Sequence, residues 1–412
     1  MTNTDTFVIV GAGLAGAKAA EALREQGFTG RIVLVGFEEH LPYERPPLSK
    51  DYLAGTKDLE KVFVHPRQWY DEHDVELRLG DAVTEIDRAQ RQVQLTDGGG
   101  VISYDKLLLA TGSSPRHVTI PGADADGVHY LRSLDDADRL KQVLATSKRL
   151  AVIGAGWIGL EITAIARKAG LDVTVIESAS LPLLRVLGTE VATVFADLHR
   201  SNGVTFHFDA AVREIRVQEG RATAIVLASG DVIPADAVVV GVGAAPNVEL
   251  AESAGLDVDN GVLVDEAMRT NDPDIFAVGD IANQQHPFYG RRIRVEHWAN
   301  ALKQPKTAAA AMIGNGEATY ADLPYFYTDQ YDLGMEYVGY VAPGDYDQVL
   351  FRGDVAAREF VAFWLKDGVV QAGMNVNIWD VTDAIKGLIH SRAVVDPARL
   401  IDTNVSLDEV MQ

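Results

Sequence analysis

The sequence predicts an α/β protein in which two Rossmann-like dinucleotide-binding domains are followed by a smaller α+β C-terminal domain. The first observation behind this is an internal repeat. TFVIVGAGLAGAKAAEAL, from Thr6, and RLAVIGAGWIGLEITAIA, from Arg149, are two versions of one pattern. Each reads as an apolar strand, a GxGxxG turn and a helix with small residues on one side. A second apolar strand follows, at 31–35 in one copy and Asp172–Ile176 in the other. The second observation is a set of continuous apolar runs, at 106–110, 237–242 and 275–278, that end at Thr111-Gly112, Gly243 and Gly279-Asp280. Buried parallel strands read this way, with ligand-facing turns at their carboxyl ends. The third is a change of texture near Pro324. Aromatic residues crowd 325–331, and alternating stretches at 335–341, 348–352, Glu359–Lys366 and 369–375 imply an antiparallel sheet, with a helix near 382–390. Between the two repeats, short strands at 76–79, 84–87 and 92–96 suggest a β-rich segment with a turn at 97–100.

The bulk numbers narrow the function. With 412 residues, at roughly 100–200 per domain, two to four domains are expected. A formal net charge of −22 argues against nonspecific binding to nucleic acid or to an acidic membrane surface. It leaves room for an acidic protein partner, because docking depends on local patches. The chain has no cysteine, which removes disulfides, thiolate metal sites and every thiol-based redox step. The polar start, residues 1–5, leads straight into the strand Thr6–Val10, and no apolar run of about 18 residues occurs, so a cytoplasmic protein without a leader is expected. The residues at 408–412 carry no lipidation motif.

The first fingerprint is Gly11, Gly13 and Gly16, with Ala15 inside it; the second is Gly154, Gly156 and Gly159. Glycines let the backbone turn tightly and approach a pyrophosphate, and the helix N-terminus then offers free N–H groups and a partial positive charge. A glycine-rich turn without a ligand is the plain alternative. Glu177 ends the strand after the second fingerprint, where a carboxylate accepts hydrogen bonds from a ribose and repels a 2′-phosphate. That favours NADH over NADPH, with Arg185 the nearest basic residue. Two fingerprints imply two dinucleotides, and a tightly held FAD with an exchangeable nicotinamide is the pair that makes chemical sense.

The motifs VIVGAGLAG, LPYERPPLSK at 41–50, LLLATGSSPR at 107–116, YLRSLDDA at 130–137, VIGAGWIGLE at 152–161, GVGAAPN at 241–247, IFAVGDIA at 275–282, EHWANAL at 296–302 and TDQYDLG at 328–334 cover nearly the whole chain. Together they resemble the FAD-dependent, NADH-using ferredoxin reductases that serve bacterial Rieske oxygenases and cytochrome P450 monooxygenases, a group of the pyridine nucleotide-disulfide oxidoreductase type. The resemblance implies a discontinuous FAD domain at 1–115 and 245–323, a NAD domain at 116–244 and a C-terminal domain at 324–412. It implies that Gly11, Gly13, Ala15 and Gly16 line the FAD pyrophosphate and that Lys50 points at the flavin. Val83 and Arg132 would contact FAD, Asp280 its ribityl chain, and Trp298 the isoalloxazine ring. The neighbouring motif residues Arg45, Pro47, Ala110, Thr111, Gly112 and Gly279 belong to the same set. Glu161 would lie between Lys50 and the nicotinamide, and Gly154, Gly156, Ile158, Gly159, Glu177, Arg185 and Gly243 would surround NADH. Lys50 and Glu161 are the expected catalytic pair, since a cation beside the ring stabilises the anionic reduced flavin and an ion pair keeps both charges tolerable when desolvated.

Plain alternatives stand beside several of these roles. Lys50 reads also as a surface lysine at a helix start, Asp280 as a helix N-cap, and Trp298 as ordinary core. Two departures from the family are visible. Phe37 stands where an acid usually binds the FAD ribose, so that either Glu38 substitutes or the contact is lost. Tyr327 stands where a tryptophan is usual. No cysteine lies beside the flavin segment, so electrons must leave the flavin directly. The expected acceptor is a [2Fe–2S] ferredoxin, met by a local basic patch drawn from Arg291, Arg292, Arg294, Lys303, Lys306, Lys386 and Arg392. A charge run that is merely solvated is the bland reading of that patch. Rubredoxin reduction, NADH oxidation, or redox sensing in the manner of apoptosis-inducing factor remain as rival functions. His40, His297 and His390 lack ligand spacing, and no metal is expected.

Overall fold

The computed structural model describes residues 4–96 and 98–410. Part of the expected turn at 97–100, the first residues of the polar start and the last two residues lie outside them. The chain divides into two compact units, one formed by residues up to Pro46, 57–114 and 244–324, the other by 47–56, 115–243 and the residues from Tyr325 onward.

In the first unit the run Thr6–Val10 is a central strand. It pairs in parallel with Arg31–Gly36 on one side and Lys106–Leu109 on the other. Val75–Leu79 and Ile275–Ala277 complete the five-stranded parallel sheet at its two edges. Residues 76–79 therefore belong to this parallel sheet and not to the β-rich insertion, a correction to the sequence reading. The cause is non-local: Val75 and Leu77 face the core and pair with Ile32 and Leu34. The insertion itself is the three-stranded antiparallel sheet Val83–Asp87, Gln92–Leu95 and Val101–Ser103. The alanine-rich helix Leu14–Glu25 buries Ala15, Ala17, Ala19, Ala20 and Ala22, and these small side chains let it lie close to the helix Trp298–Met312.

The second unit repeats the plan. Arg149–Ile153 is central to a parallel sheet with Asp172–Ile176, Thr205–His207, Ala237–Val240 and Val128–His129. A three-stranded antiparallel sheet, Val212–Gln218, Arg221–Leu227 and Val232–Pro234, takes the place of the one in the first unit. The same unit holds a five-stranded antiparallel sheet of Tyr325–Gln330, Leu333–Gly339, Gln348–Asp354, Glu359–Lys366 and Val369–Val376, with the helix Thr382–Ser391 packed on it. Trp364 is fully buried there and donates its indole N–H to Leu187 O at 3.0 Å. Arg352 gathers the tail. Its guanidinium donates to Leu400 O, Asp402 O and Val405 O at 3.1, 2.7 and 2.6 Å.

Both fingerprints obey the same steric rule. Gly11 and Gly154 have φ of +113° and +99°, which L side chains avoid. A Cβ on Gly16 would lie 2.0 Å from Gly11 O, and one on Gly159 would lie 2.3 Å from Gly154 O. The third glycine of each motif is thus demanded by helix packing against the turn. Gly16→Ala and Gly159→Ala should each lower stability by roughly 1–3 kcal/mol, through the displacement a new methyl group forces. Urea unfolding of the two variants against the parent checks this.

His199, on the helix Leu184–Ser201, is fully buried, and burial pushes its ring down to about 4 from the usual 6.5, against the opposing hydrogen bond to Gln330. Burial pushes His297 down to about 4 as well. The unfolded chain takes these protons near pH 6.5, and the native chain does not until about pH 4. Between those values the unfolded state binds more protons, so stability falls as pH drops through the window. The urea midpoint should decline from pH 6.5 to 4, and His199→Gln should flatten that decline.

Candidate functional site

The first unit brings one group of the expected residues together. Gly11 N donates to Val35 O, and a Cβ on Gly11 would meet Ala110 O at 2.2 Å, which sets the strand end 106–110 against the fingerprint. Thr111 and Asn247 exchange hydrogen bonds of 3.0 and 2.7 Å, fixing the turn that Gly112 completes at φ +67°. Gly279, at φ +77°, lies against Ala15 and Ala301, and its N–H donates to the buried Gln304 Oε1 at 2.8 Å. Asp280 accepts from Ser113 Oγ at 2.9 Å. It sits inside the short 3-10 turn Gly279–Ile281, with Val278 at the cap position, so the N-cap reading of Asp280 does not hold. Trp298 opens the helix that carries Gln304 and is half-buried. Sequence reasoning gave no role to Ser113, Asn247 or Gln304, although the first two lie within quoted motifs.

After the strand Arg31–Gly36, Phe37 is 81% exposed. Beside it, Glu38 accepts from Tyr43 OH at 2.5 Å and from Arg45 Nη2 at 3.2 Å. Arg45 thus holds Glu38 in place. Val83 opens the antiparallel insertion and is half-buried. Pro47, Lys50 and Arg132 belong to the second unit, so the residues assigned by resemblance to FAD are divided between the two units. Arg132 precedes the helix Leu134–Thr146, and its backbone N–H donates to Asp136 Oδ2 at 3.0 Å.

The second unit gathers the other fingerprint. Glu177 accepts the Ala155 N–H at 2.7 Å on one oxygen, and the Ala179 N–H and Ser178 Oγ at 2.8 and 3.0 Å on the other. It therefore braces the glycine turn and is no loosely solvated strand-end residue. Gly154 packs on Gly241 O, and Gly243, at φ +101°, accepts the Arg116 N–H at 2.8 Å. Ile158 is 43% exposed on the first helical turn, and Arg185 is exposed.

Lys50 and Glu161 meet as an ion pair, with side chains 12% and 4% exposed. Glu161 also accepts from Ser49 Oγ at 2.5 Å and from Thr328 Oγ1 at 2.6 Å. The Lys50 ammonium lies 5.4 Å from the Tyr327 ring centroid, a cation–π arrangement. Lys50 is thus no surface lysine. Ser49 and Thr328 lay inside quoted motifs without an assigned role.

The basic patch fares unevenly. Arg292 donates to Val264 O and Asn283 O, and Arg294, 9% exposed, to Asp280 O and Glu296. These two arginines are tied into the first unit. Lys303 pairs with Asp322 and Lys386 with Asp383.

Whether the fingerprints fit a dinucleotide can be tested on their second glycines. Gly13 has φ −92° and Gly156 −80°, both open to any residue. A Cβ on Gly13 would meet nothing within 4 Å, and one on Gly156 only Gly241 O at 3.9 Å. Neither backbone strain nor packing requires glycine there. Both helices also lack a side-chain N-cap and an acidic first turn, whereas the helix Leu134–Thr146 has a full capping box at Ser133 and Asp136. Open space over uncapped N–H groups is what a pyrophosphate needs. Gly13→Ala should fold with parental stability and retain less FAD on gel filtration. Gly156→Ala should fold equally well and weaken NADH binding by about tenfold or more, about 1.4 kcal/mol, read by titration.

The comparisons with known proteins agree with this geometry. Residues 5–305 match the family described as pyridine nucleotide-disulphide oxidoreductase, and 325–411 match a reductase C-terminal domain. The ferredoxin–NAD(+) reductase component of the anthranilate 1,2-dioxygenase system of Burkholderia cepacia is 43% identical, over 98% of this chain and 99% of its own. Rhodocoxin reductase of Rhodococcus erythropolis is 40% identical over 98% of this chain and 93% of its own. The solved covalent complex of putidaredoxin reductase with putidaredoxin superposes with a TM-score of 0.94 at 38% identity, covering 99% of this chain and 98% of that one. The chain belongs to the pyridine nucleotide-disulphide oxidoreductase family.

Proposed function

We propose that this protein is an FAD-dependent NADH:ferredoxin oxidoreductase that passes electrons to a [2Fe–2S] ferredoxin supplying a cytochrome P450 or Rieske oxygenase. The observation that carries the reading is the pair of fingerprints, each with a second glycine that the protein's own packing does not require. Two dinucleotide cradles in one chain call for two cofactors. The absence of cysteine removes the thiol route that the family name implies. The reductase relatives supply the acceptor class, and the reductase C-terminal match agrees with it.

FAD, when bound, supplies the exchange between a two-electron hydride donor and a one-electron acceptor. The remaining work falls to the chain's own residues. FAD would be held by 1–115 and 245–323, through Gly11, Gly13, Ala15, Gly16, Ala110, Thr111, Gly112, Gly279 and Asp280. Glu38, oriented by Tyr43 and Arg45, would take the ribose contact in place of the missing acid at Phe37. NADH would be held by 116–244, with Glu177 both bracing the turn and disfavouring a 2′-phosphate. Lys50 would keep a cation at the flavin, with Glu161 as its counter-ion. Among the described residues no helix is long and apolar enough to cross a membrane. The cytoplasm, where NADH is regenerated, is the compartment we propose.

Anaerobic stopped-flow spectroscopy tests this. NADH should bleach the flavin rapidly, and NADPH at equal concentration should do so at least tenfold more slowly, a gap that Glu177→Gln should narrow. Reoxidation should be fast only when a [2Fe–2S] protein is added. Slow bleaching followed by a persistent long-wavelength band, with no acceleration by any iron–sulfur protein, would overturn the reading.

A further inference from the structure

Behind the Lys50–Glu161 pair runs a buried chain of hydrogen bonds that the proposed reaction leaves unexplained. Thr328 and Gln330, each 1% exposed, point to the same side of the strand Tyr325–Gln330, two residues apart. Gln330 Nε2 donates to Thr328 Oγ1 at 3.3 Å, so the Thr328 hydrogen is left for Glu161 Oε1 at 2.6 Å. Gln330 Oε1, an acceptor only, meets His199 Nε2 at 2.7 Å, which places the ring hydrogen on Nε2. Nδ1 of His199 then carries a lone pair, and Tyr331 OH lies 3.4 Å from it. Ser49 donates to the other Glu161 oxygen. Every donor along this line points toward Glu161.

The direction matters because Glu161 is almost wholly out of water. A buried carboxylate keeps its charge only when donors compensate the lost hydration. Lys50 alone is an unsafe partner, since its proton can cross to Glu161 and leave two neutral groups. Two hydroxyl donors on the carboxylate favour the charged form. Asp329 interacts with both members of the pair, Asp51 and Lys168 act in turn on Asp329, and Arg167 acts on Tyr331 farther along.

We propose that Thr328, backed by Gln330 and His199, is a positioning residue that holds Glu161 as a carboxylate and so keeps Lys50 an ammonium during hydride transfer. This rests on the proposed function for its link to catalysis, while the charge state of the pair is a property of the protein itself.

The test compares the parent holoenzyme with Thr328→Val, Thr328→Ser and Gln330→Met. Thr328→Val should slow NADH-driven bleaching about tenfold and introduce a pH dependence that the parent lacks. Thr328→Ser should restore both, and Gln330→Met should shift both in the same direction by less. Infrared spectra of the oxidised protein without NADH give a readout independent of turnover. A protonated-carboxyl band should arise in Thr328→Val and vanish in Thr328→Val with Glu161→Gln. A folded Thr328→Val with the parental rate, a flat profile and no carboxyl band overturns the inference; should that variant fail to fold, the same null result in Gln330→Met does so. If NADH fails to bleach even the parent, the proposed function falls, and the infrared arm still decides the state of Glu161.

Discussion

At each fingerprint a helix backbone and a strand-end turn approach so closely that no side chain fits between them. The Gly16 and Gly159 Cα atoms rest against the carbonyls of Gly11 and Gly154. That contact fixes where each helix starts and aims its unpaired N–H groups past the end of the parallel strands. The small-residue faces of both helices, the strand ends at Ala110 and Val240 and the turns built on Gly112 and Gly243 follow from it. In each unit the central strand lies between the strand that follows its fingerprint helix and the strand entered after the antiparallel insertion. A crevice at the carboxyl ends is where such sheets take their ligands.

The charged pair in the second unit follows a different logic. Hydrophobic burial alone would reject Lys50 and Glu161, and surface ion pairs contribute little. Here two separate segments converge on the carboxylate that the fingerprint helix carries, Ser49 and Lys50 from the proline-rich turn and Thr328 from the C-terminal sheet, with His199 of a second helix behind Gln330. An arrangement held from several directions fixes where both charges sit.

Much of this was legible in the sequence, because the informative patterns are local. The glycine spacing, the apolar runs ending in glycine and the alternation after Pro324 each encode a strand, turn or helix within a dozen residues. The Lys50–Glu161 ion pair was legible through the motifs around its two members. What escaped depends on distant pairing. Residues 76–79 alternate too weakly to reveal that the strand's one partner, Arg31–Gly36, lies in the parallel sheet. Asp280 reads in sequence as a helix start, yet its partner is Ser113, 167 positions earlier. The joint role of Thr328, Gln330 and His199 has no local signature: Gln330 is 131 residues from His199, and Thr328 is 167 from Glu161. Arg292 and Arg294 read as a cationic run, but backbone carbonyls brought in from Val264 and Asp280 absorb their donors.

The guanidinium of Arg352 joins three carbonyls that span residues 400–405 to a strand of the C-terminal sheet. The end of the helix Pro397–Ile401 and the segment after it are thereby tied to the sheet by one planar, always-charged group with its donors in fixed directions, and Arg399 holds the following turn through Glu409 O. A lysine in place of Arg352 has one ammonium where three separated acceptors are waiting. Fusions, tags or extensions placed beyond residue 405 therefore pull on a latch and not on a free end, and a protease reaching this region reports on whether that latch is shut.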